Sequence, residues 1–231
     1  MSDEPPRFDP VLVDQLPAEL ALGQLPPGRH GLPRAFVVRN QRLRLIAAML
    51  RSLPEHGYSG TTIGHLTQEA GVSRAAFYGQ FSSKEDCFLA AYDLAGDWLV
   101  KRVENALGEE GDVGARVRAG VAEALGLLAT NPSLAHLFAI DAIQAGRASR
   151  ERQRACLVRI SEALWRDGGT DTRPPPELDE MLLAGVLATV ARYVDAGRVE
   201  QLSEASQEVV RYLLTPCMDS TEMPCTLEES A

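Results

Sequence analysis

From Arg34 almost to its end, the chain repeats apolar residues at intervals of three and four, broken by short Gly, Pro, Asn and Ser segments, a pattern that predicts helices. Leu43, Ile46, Ala47, Leu50 and Leu53 set the inward face of a first helix running from about Arg34 to His56. Gly57 stops it, and Pro54 sits in its last turn. A second helix begins after Thr62, an N-cap residue type, buries Ile63, Leu66 and Ala70, and ends at Gly71. A third, short helix follows Ser73 and closes at Phe81, with Phe77 and Phe81 one turn apart on its inward side. Ser83-Lys84-Glu85-Asp86 reads as a capping box opening a fourth helix to about Leu107. The fifth carries Val117, Val121, Leu125 and Leu128 and breaks where Asn131 caps and Pro132 takes the first helical position. A sixth, short one holds Leu134, Leu137 and Phe138. Three more are expected over about residues 142–165, 177–196 and 203–214, the last stopping before Pro216. No segment alternates as a half-buried strand would, so the fold class is all-α.

The same punctuation divides the chain. Residues 1–33 form a Pro-rich arm with at most a helical turn near Pro17 to Leu22, residues 34–82 a three-helix head, residues 83–214 a helical body, and residues 215–231 a loose acidic tail. At 231 residues, 45% apolar and 24% charged, the balance is that of a globular protein and excludes a wholly disordered, collagenous or mucin-like chain. No apolar run approaches the length of a membrane span, and the start of the chain lacks the basic and greasy segments of a signal peptide. A soluble cytoplasmic protein without membrane partners is expected, with Cys87, Cys156, Cys217 and Cys225 as reduced thiols.

Net charge is −9, yet between Arg29 and Asp86 eight cations face four anions, so the remainder carries −13. A basic head on an acidic body suggests one module that meets a polyanion and another repelled by it. Within the head, Thr61 to Tyr78 follows the helix-turn-helix plan. Gly71 suits the sharp turn, Val72 plugs the crease between the helices, and Ser73 caps the third helix at an end that favours phosphate. Arg74 and Ala75 fall in that helix's first turn, where Arg can grip guanine and Ala can touch a thymine methyl. Tyr78 lies away from the buried Phe77 and Phe81 and can reach a phosphate.

The frame from Arg44 through Tyr92 resembles the TetR family of bacterial transcriptional regulators. The likeness is carried by Gly57-Tyr58, Thr61-Thr62-Ile63, Ala70-Gly71-Val72-Ser73, Phe77-Tyr78, Phe81 and Ser83-Lys84-Glu85. It implies phosphate contacts from Thr62, Ser73, Tyr78 and Lys84, and base or groove contacts from Arg74, Ala75 and Gln80. His65, Thr67 and Gly79-Gln80 depart from the family's usual residues. The resemblance also implies a homodimer on a double-stranded, palindromic operator, repression relieved by an unknown small-molecule effector, and a bundle built from the last two helices of each subunit. Met181, Leu182, Gly185, Val186 and Thr189, with Val209, Val210 and Leu213, fit that interface, and they also fit an ordinary core. Small residues Ala184, Gly185 and Ala188 suit close helix contact.

Trp98, Phe138, Trp165 and Tyr193 are candidates to line an effector pocket, or ordinary core aromatics. Arg29, His30 and Arg34 could take the arm into a minor groove. The four histidines are isolated in sequence, no metal or catalytic motif appears, and Asp93 with Asp97 reads as solvated charge, so neither a cofactor nor an enzyme is expected. The alternatives are a helical carrier or enzyme with a vestigial basic head, and a ligand-free architectural protein.

Overall fold

The computed structural model describes residues 34–107, 112–166 and 173–218, and every regular element among them is helical. The order is α1 (Arg34–Gly60), α2 (Ile63–Ala70), α3 (Arg74–Tyr78), α4 (Lys84–Ala106), α5 (Val113–Thr130) and α6 (Pro132–His136). A π-helical turn (Leu137–Asp141) leads into α7 (Ala142–Gln144), then α8 (Arg147–Leu164), α9 (Pro176–Asp195), a 3-10 segment (Val199–Ala205) and α10 (Ser206–Met218). The arm, including Arg29 and His30, and residues 219–231 of the tail lie outside the described residues; residues 215–218, expected in the tail, continue the last helix.

The expected face of α1 is buried, and so are Leu45, Ala48 and Met49 on its other sides. Residues 43–50 are enclosed all round because α1 is covered by α2 and α3, by α4, and by α6 with the π turn. One apolar cluster therefore runs from α1 through Phe77, Phe88, Trp98 and Leu125 to Leu213. The ion pairs Asp93–Arg152 (2.7 Å), Asp97–Arg159 (2.5 Å) and Glu104–Arg166 (3.0 Å) advance together along both helices, so α4 and α8 run parallel. Asp93 and Asp97 are thus stitching groups between two helices rather than merely solvated charges.

Other details depart from expectation. Asn131 does not cap α6 with its side chain; its amide donates back to the Leu127 carbonyl at 2.8 Å and so finishes α5. The helix expected from residue 142 is interrupted at Gly146, with α8 starting at Arg147. The last helix starts later than expected because residues 199–205 wind as a 3-10 segment, and it runs past Pro216, since proline in a final turn forfeits only one backbone bond. At Ser83 the reciprocal half of the capping box is shifted by one: Ser83 accepts from the Asp86 N–H at 3.0 Å, while the Asp86 carboxylate accepts from the Ser82 N–H at 2.8 Å.

Candidate nucleic-acid interface and effector cavity

The head is built on local chemistry. Thr62 caps α2 by accepting from the His65 N–H at 3.2 Å. Gly71 ends it at φ 60, ψ 42, left-handed backbone that a Cβ would strain. Ser73 caps α3 by accepting from the Ala76 N–H at 3.0 Å. α3 stops at Tyr78, short of the expected Phe81, yet Phe77 within it and Phe81 just beyond it are buried with ring centres 5.8 Å apart, which turns the opposite side of α3 outward. Arg74 and Ala75 are exposed and Tyr78 is 59% exposed, its ring edge-on to Phe77. Thr62 and Ser73 are exposed as well, and Gln80 is half-buried.

The cations divide unexpectedly. Arg44 is buried within α1 and donates to the Ala70 carbonyl and, at 3.2 Å, to that of Gly71, satisfying the end of α2. Arg42 donates to the Gln80 carbonyl at 2.9 Å. Lys84 donates to the carbonyls of Tyr58 (2.7 Å) and Thr61 (2.9 Å), and burial draws its pKa down. Arg51 pairs with Glu69 at 2.5 Å. Half of the cations counted in the sequence thus bond within the head, while Arg39 and Arg74 stand exposed. An arginine inside the apolar run from Leu43 to Leu53 was the available signal for such an inward role. His56 and His65, isolated in sequence, place their rings 5.1 Å apart.

In the body, an apolar cavity of about 70 Å³ opens between α4, α5, α8, α9 and α10. Its wall includes Tyr92, Leu125, Phe138, Cys156, Ile160 and Val190, and no charged side chain. Burial pushes the Cys156 thiol up to about 12, so it lines the wall as a neutral group. Of the four aromatic candidates only Phe138 borders this space. Trp98 is buried elsewhere, 5.7 Å from the Arg102 guanidinium. Trp165 donates to Asp179 at 3.3 Å, and Tyr193 lines an outer groove with Arg198 5.5 Å from its ring. Tyr92 is a wall aromatic that helical periodicity alone does not single out.

The candidate interface residues also separate. Leu182, Val209 and Leu213 are buried within the protomer, and Val186 and Leu213 border the cavity. Gly185, Thr189 and Val210 are half-buried; a Cβ on Gly185 would run into the Tyr212 hydroxyl. Met181, 67% exposed, together with exposed Ala184 and Ala188, makes the outward stripe of α9.

A helix-turn-helix with an exposed arginine in the first turn of its second helix, on a helical body with an apolar cavity, is the plan of a DNA-binding regulator. Residues 45–91 match the profile of bacterial regulatory proteins, tetR family. The nucleoid occlusion factor SlmA of Escherichia fergusonii is 32% identical over 166 residues, spanning 68% of this chain and 82% of that protein. SlmA of Marinomonas sp. is 34% identical over 120 residues, spanning 52% of this chain and 59% of that one. Among solved structures, the regulator FadR of Bacillus subtilis in complex with stearoyl-CoA superposes with a TM-score of 0.65 at 19% identity, covering 75% of this chain and 97% of that one. FadR of Bacillus halodurans gives 0.66 at 21% identity, covering 75% and 94%. The chain belongs to the TetR family of bacterial regulatory proteins, whose fold it shares from head to body. Among the described residues, no helix is long and apolar enough to cross a membrane.

Proposed function

We propose that this protein is a ligand-responsive, sequence-specific transcriptional regulator that acts in the cytoplasm as a homodimeric repressor on a palindromic operator. The observation that carries this reading is the outward first turn of α3, with Arg74 and Ala75 exposed above an anchored Phe77 and Phe81. Arg74 and Ala75 read bases, Gln80 reaches the groove edge, and Thr62, Ser73 and Tyr78 fix register on phosphates. Lys84 acts chiefly by holding the segment before α2, and the arm with Arg29, His30 and Arg34 adds a minor-groove contact. Two heads spaced by a helical turn of DNA require a partner on the α9–α10 surface, for which Met181, Ala184 and Ala188 supply the apolar, closely approachable stripe.

The effector is apolar where it meets the body, because no charge lines the cavity. A space of about 70 Å³ is well below the roughly 300 Å³ of a typical ligand pocket, so an effector must widen it and thereby favours a different spacing of the heads. The stearoyl-CoA held by the B. subtilis neighbour supports an acyl chain as the class. The test is a mobility shift on the fragment upstream of the protein's own gene. Binding that is sequence-selective, less selective at one base pair in Arg74→Ala and relieved by stearoyl-CoA supports the reading; binding indifferent to sequence and to Arg74 refutes it.

A second reading is favoured by the 32% identity to SlmA over 166 residues: a nucleoid occlusion factor rather than a repressor of particular genes. Genome-wide occupancy without transcript changes beside the occupied sites would select it.

A further inference from the structure

The π-helical turn Leu137–Asp141 touches three parts of the molecule at once. Inside it, Phe138 borders the cavity. Its backbone is held open from α8, where the Gln153 side-chain amide donates to the Phe138 carbonyl at 2.6 Å. At its far end Asp141, fully buried, accepts the Tyr58 N–H at 2.6 Å. That N–H is aimed outward by Gly57, whose backbone at φ 62, ψ 174 breaks α1 after His56, where the sequence expects the helix to stop, and leaves a separate last turn. A Cβ at Gly57 would already lie 3.5 Å from the Asp141 carboxylate, so body and head are in direct contact here. Ser59 and Gln144 add a side-chain bond of 3.3 Å beside it.

Tyr58 is also the end of an aromatic row. Its ring meets Phe88 edge-on at 4.9 Å, Phe88 lies 6.5 Å from Tyr92, and Tyr92 meets Phe138 edge-on at 5.2 Å. Tyr92 and Phe138 are both cavity walls. On the head side, the Tyr58 carbonyl takes Lys84, which also holds the Thr61 carbonyl next to the Thr62 cap of α2. Among the described residues the second Asp141 oxygen has no hydrogen-bond partner, so there the carboxylate's hold on the fold rests on the Tyr58 bond. A buried polar group left so thinly satisfied is costly and is kept where it does a task.

We propose that Asp141 is the positioning residue that clasps the head to the body, and that filling the cavity at Phe138 changes the head through this clasp on the Tyr58 N–H. The clasp deepens the regulator reading and rests on it for its purpose, while its own existence is measured without DNA. A π turn is a suitable carrier, because its widened backbone has a nearby α-helical alternative and so offers two discrete arrangements.

The experiment uses the full chain, with xenon as the probe because it enters dry apolar cavities. Backbone amide exchange and chemical shifts are followed by NMR at pH 7.5, where the Asp141 carboxyl is ionised, in wild type and Asp141→Ala. Loss of a hydrogen bond to a charged acceptor predicts that Tyr58 amide exchange accelerates at least tenfold in the variant, with the core amides of α4 and α8 unchanged. Under xenon pressure the Tyr58 amide signal of the wild type moves together with that of Phe138, and in Asp141→Ala its movement falls by more than half. Unchanged Tyr58 exchange, or a xenon response at Tyr58 that is absent in wild type or keeps more than half its size in the variant, overturns the proposal. If Asp141→Ala does not fold, Asp141→Asn is measured the same way: it keeps the shape and an acceptor oxygen but loses the charge, so a smaller acceleration, at least threefold, is expected, and none refutes the clasp. A protein that never shifts DNA would sink the regulator reading and leave these measurements intact.

Discussion

The Arg42 guanidinium lies 4.3 Å from the centre of the Phe81 ring while donating to the neighbouring Gln80 carbonyl. One side chain from α1 therefore holds the segment that leaves α3. Arg42→Met, which keeps the stem and drops the fork, should lower DNA affinity about three- to tenfold, while the rank order of operator variants stays the same. A reordered preference in competition binding would instead make Arg42 a base-reading residue.

Tyr78 and Arg74 stand on the same outward face and should fail differently. Tyr78→Phe, which drops the hydroxyl proposed to meet a phosphate, should weaken binding to all sequences alike. Arg74→Ala should relax preference at one base pair, at a cost of roughly 1 to 3 kcal/mol. Quantitative competition across single-base operator variants distinguishes the two patterns.

Inward use of cations limits the salt response. With Arg42, Arg44 and Lys84 bonded to carbonyls and Arg51 to Glu69, the described head offers Arg39 and Arg74 as exposed cations. Removing a cation that pairs with a phosphate should reduce the slope of log affinity against log salt by about one. Arg39→Ala is expected to do so in a potassium chloride titration, and Arg44→Met to destabilise the fold with little change in slope.

Burial raises the Asp141 carboxyl from 3.8 to about 6, against a lowering influence of the Tyr58 N–H. Between those values the folded chain holds a proton that the unfolded chain releases, so this contribution to stability is full below about 4 and is lost as pH rises through about 6. His136, lowered by burial, acts in the opposite sense, its contribution being lost as pH falls through 6.5. The difference between Asp141→Asn and wild type isolates the carboxyl: the variant should gain several degrees in Tm relative to wild type between pH 5 and 7.5 in calorimetry. Parallel profiles would count against the shift.

Element types and most boundaries were readable because caps and stops are local: Thr62, Gly71, Ser73 and Pro132 each act within a turn of their own position. The outward face of α3 was equally readable, since Phe77 and Phe81 fix it by spacing alone. What escaped were facts set by distant partners. Burial of Arg44, the clasp at Asp141 and the wall position of Tyr92 depend on neighbours tens of residues away. Helical periodicity also could not tell which of two neighbours a stripe faces, which is why Leu182 and Leu213 joined Met181 in one expected interface although they point into the protomer. Met181→Glu should accordingly dissociate a dimer in sedimentation while leaving the helix content intact, whereas Leu213→Glu should unfold the chain.

The enclosure of α1 on every side has a practical corollary for anyone building chimeras from this regulator. Leu45, Met49 and Leu53 are buried in a helix that packs on the rest of the head and on the body alike, so the seam between head and body is a shared wall rather than a cut line. A transplant that swaps only the N-terminal third would expose greasy surface on both fragments. A graft that keeps its original specificity must carry the opening turns of α4 and the residue 137–144 segment along with the recognition helix.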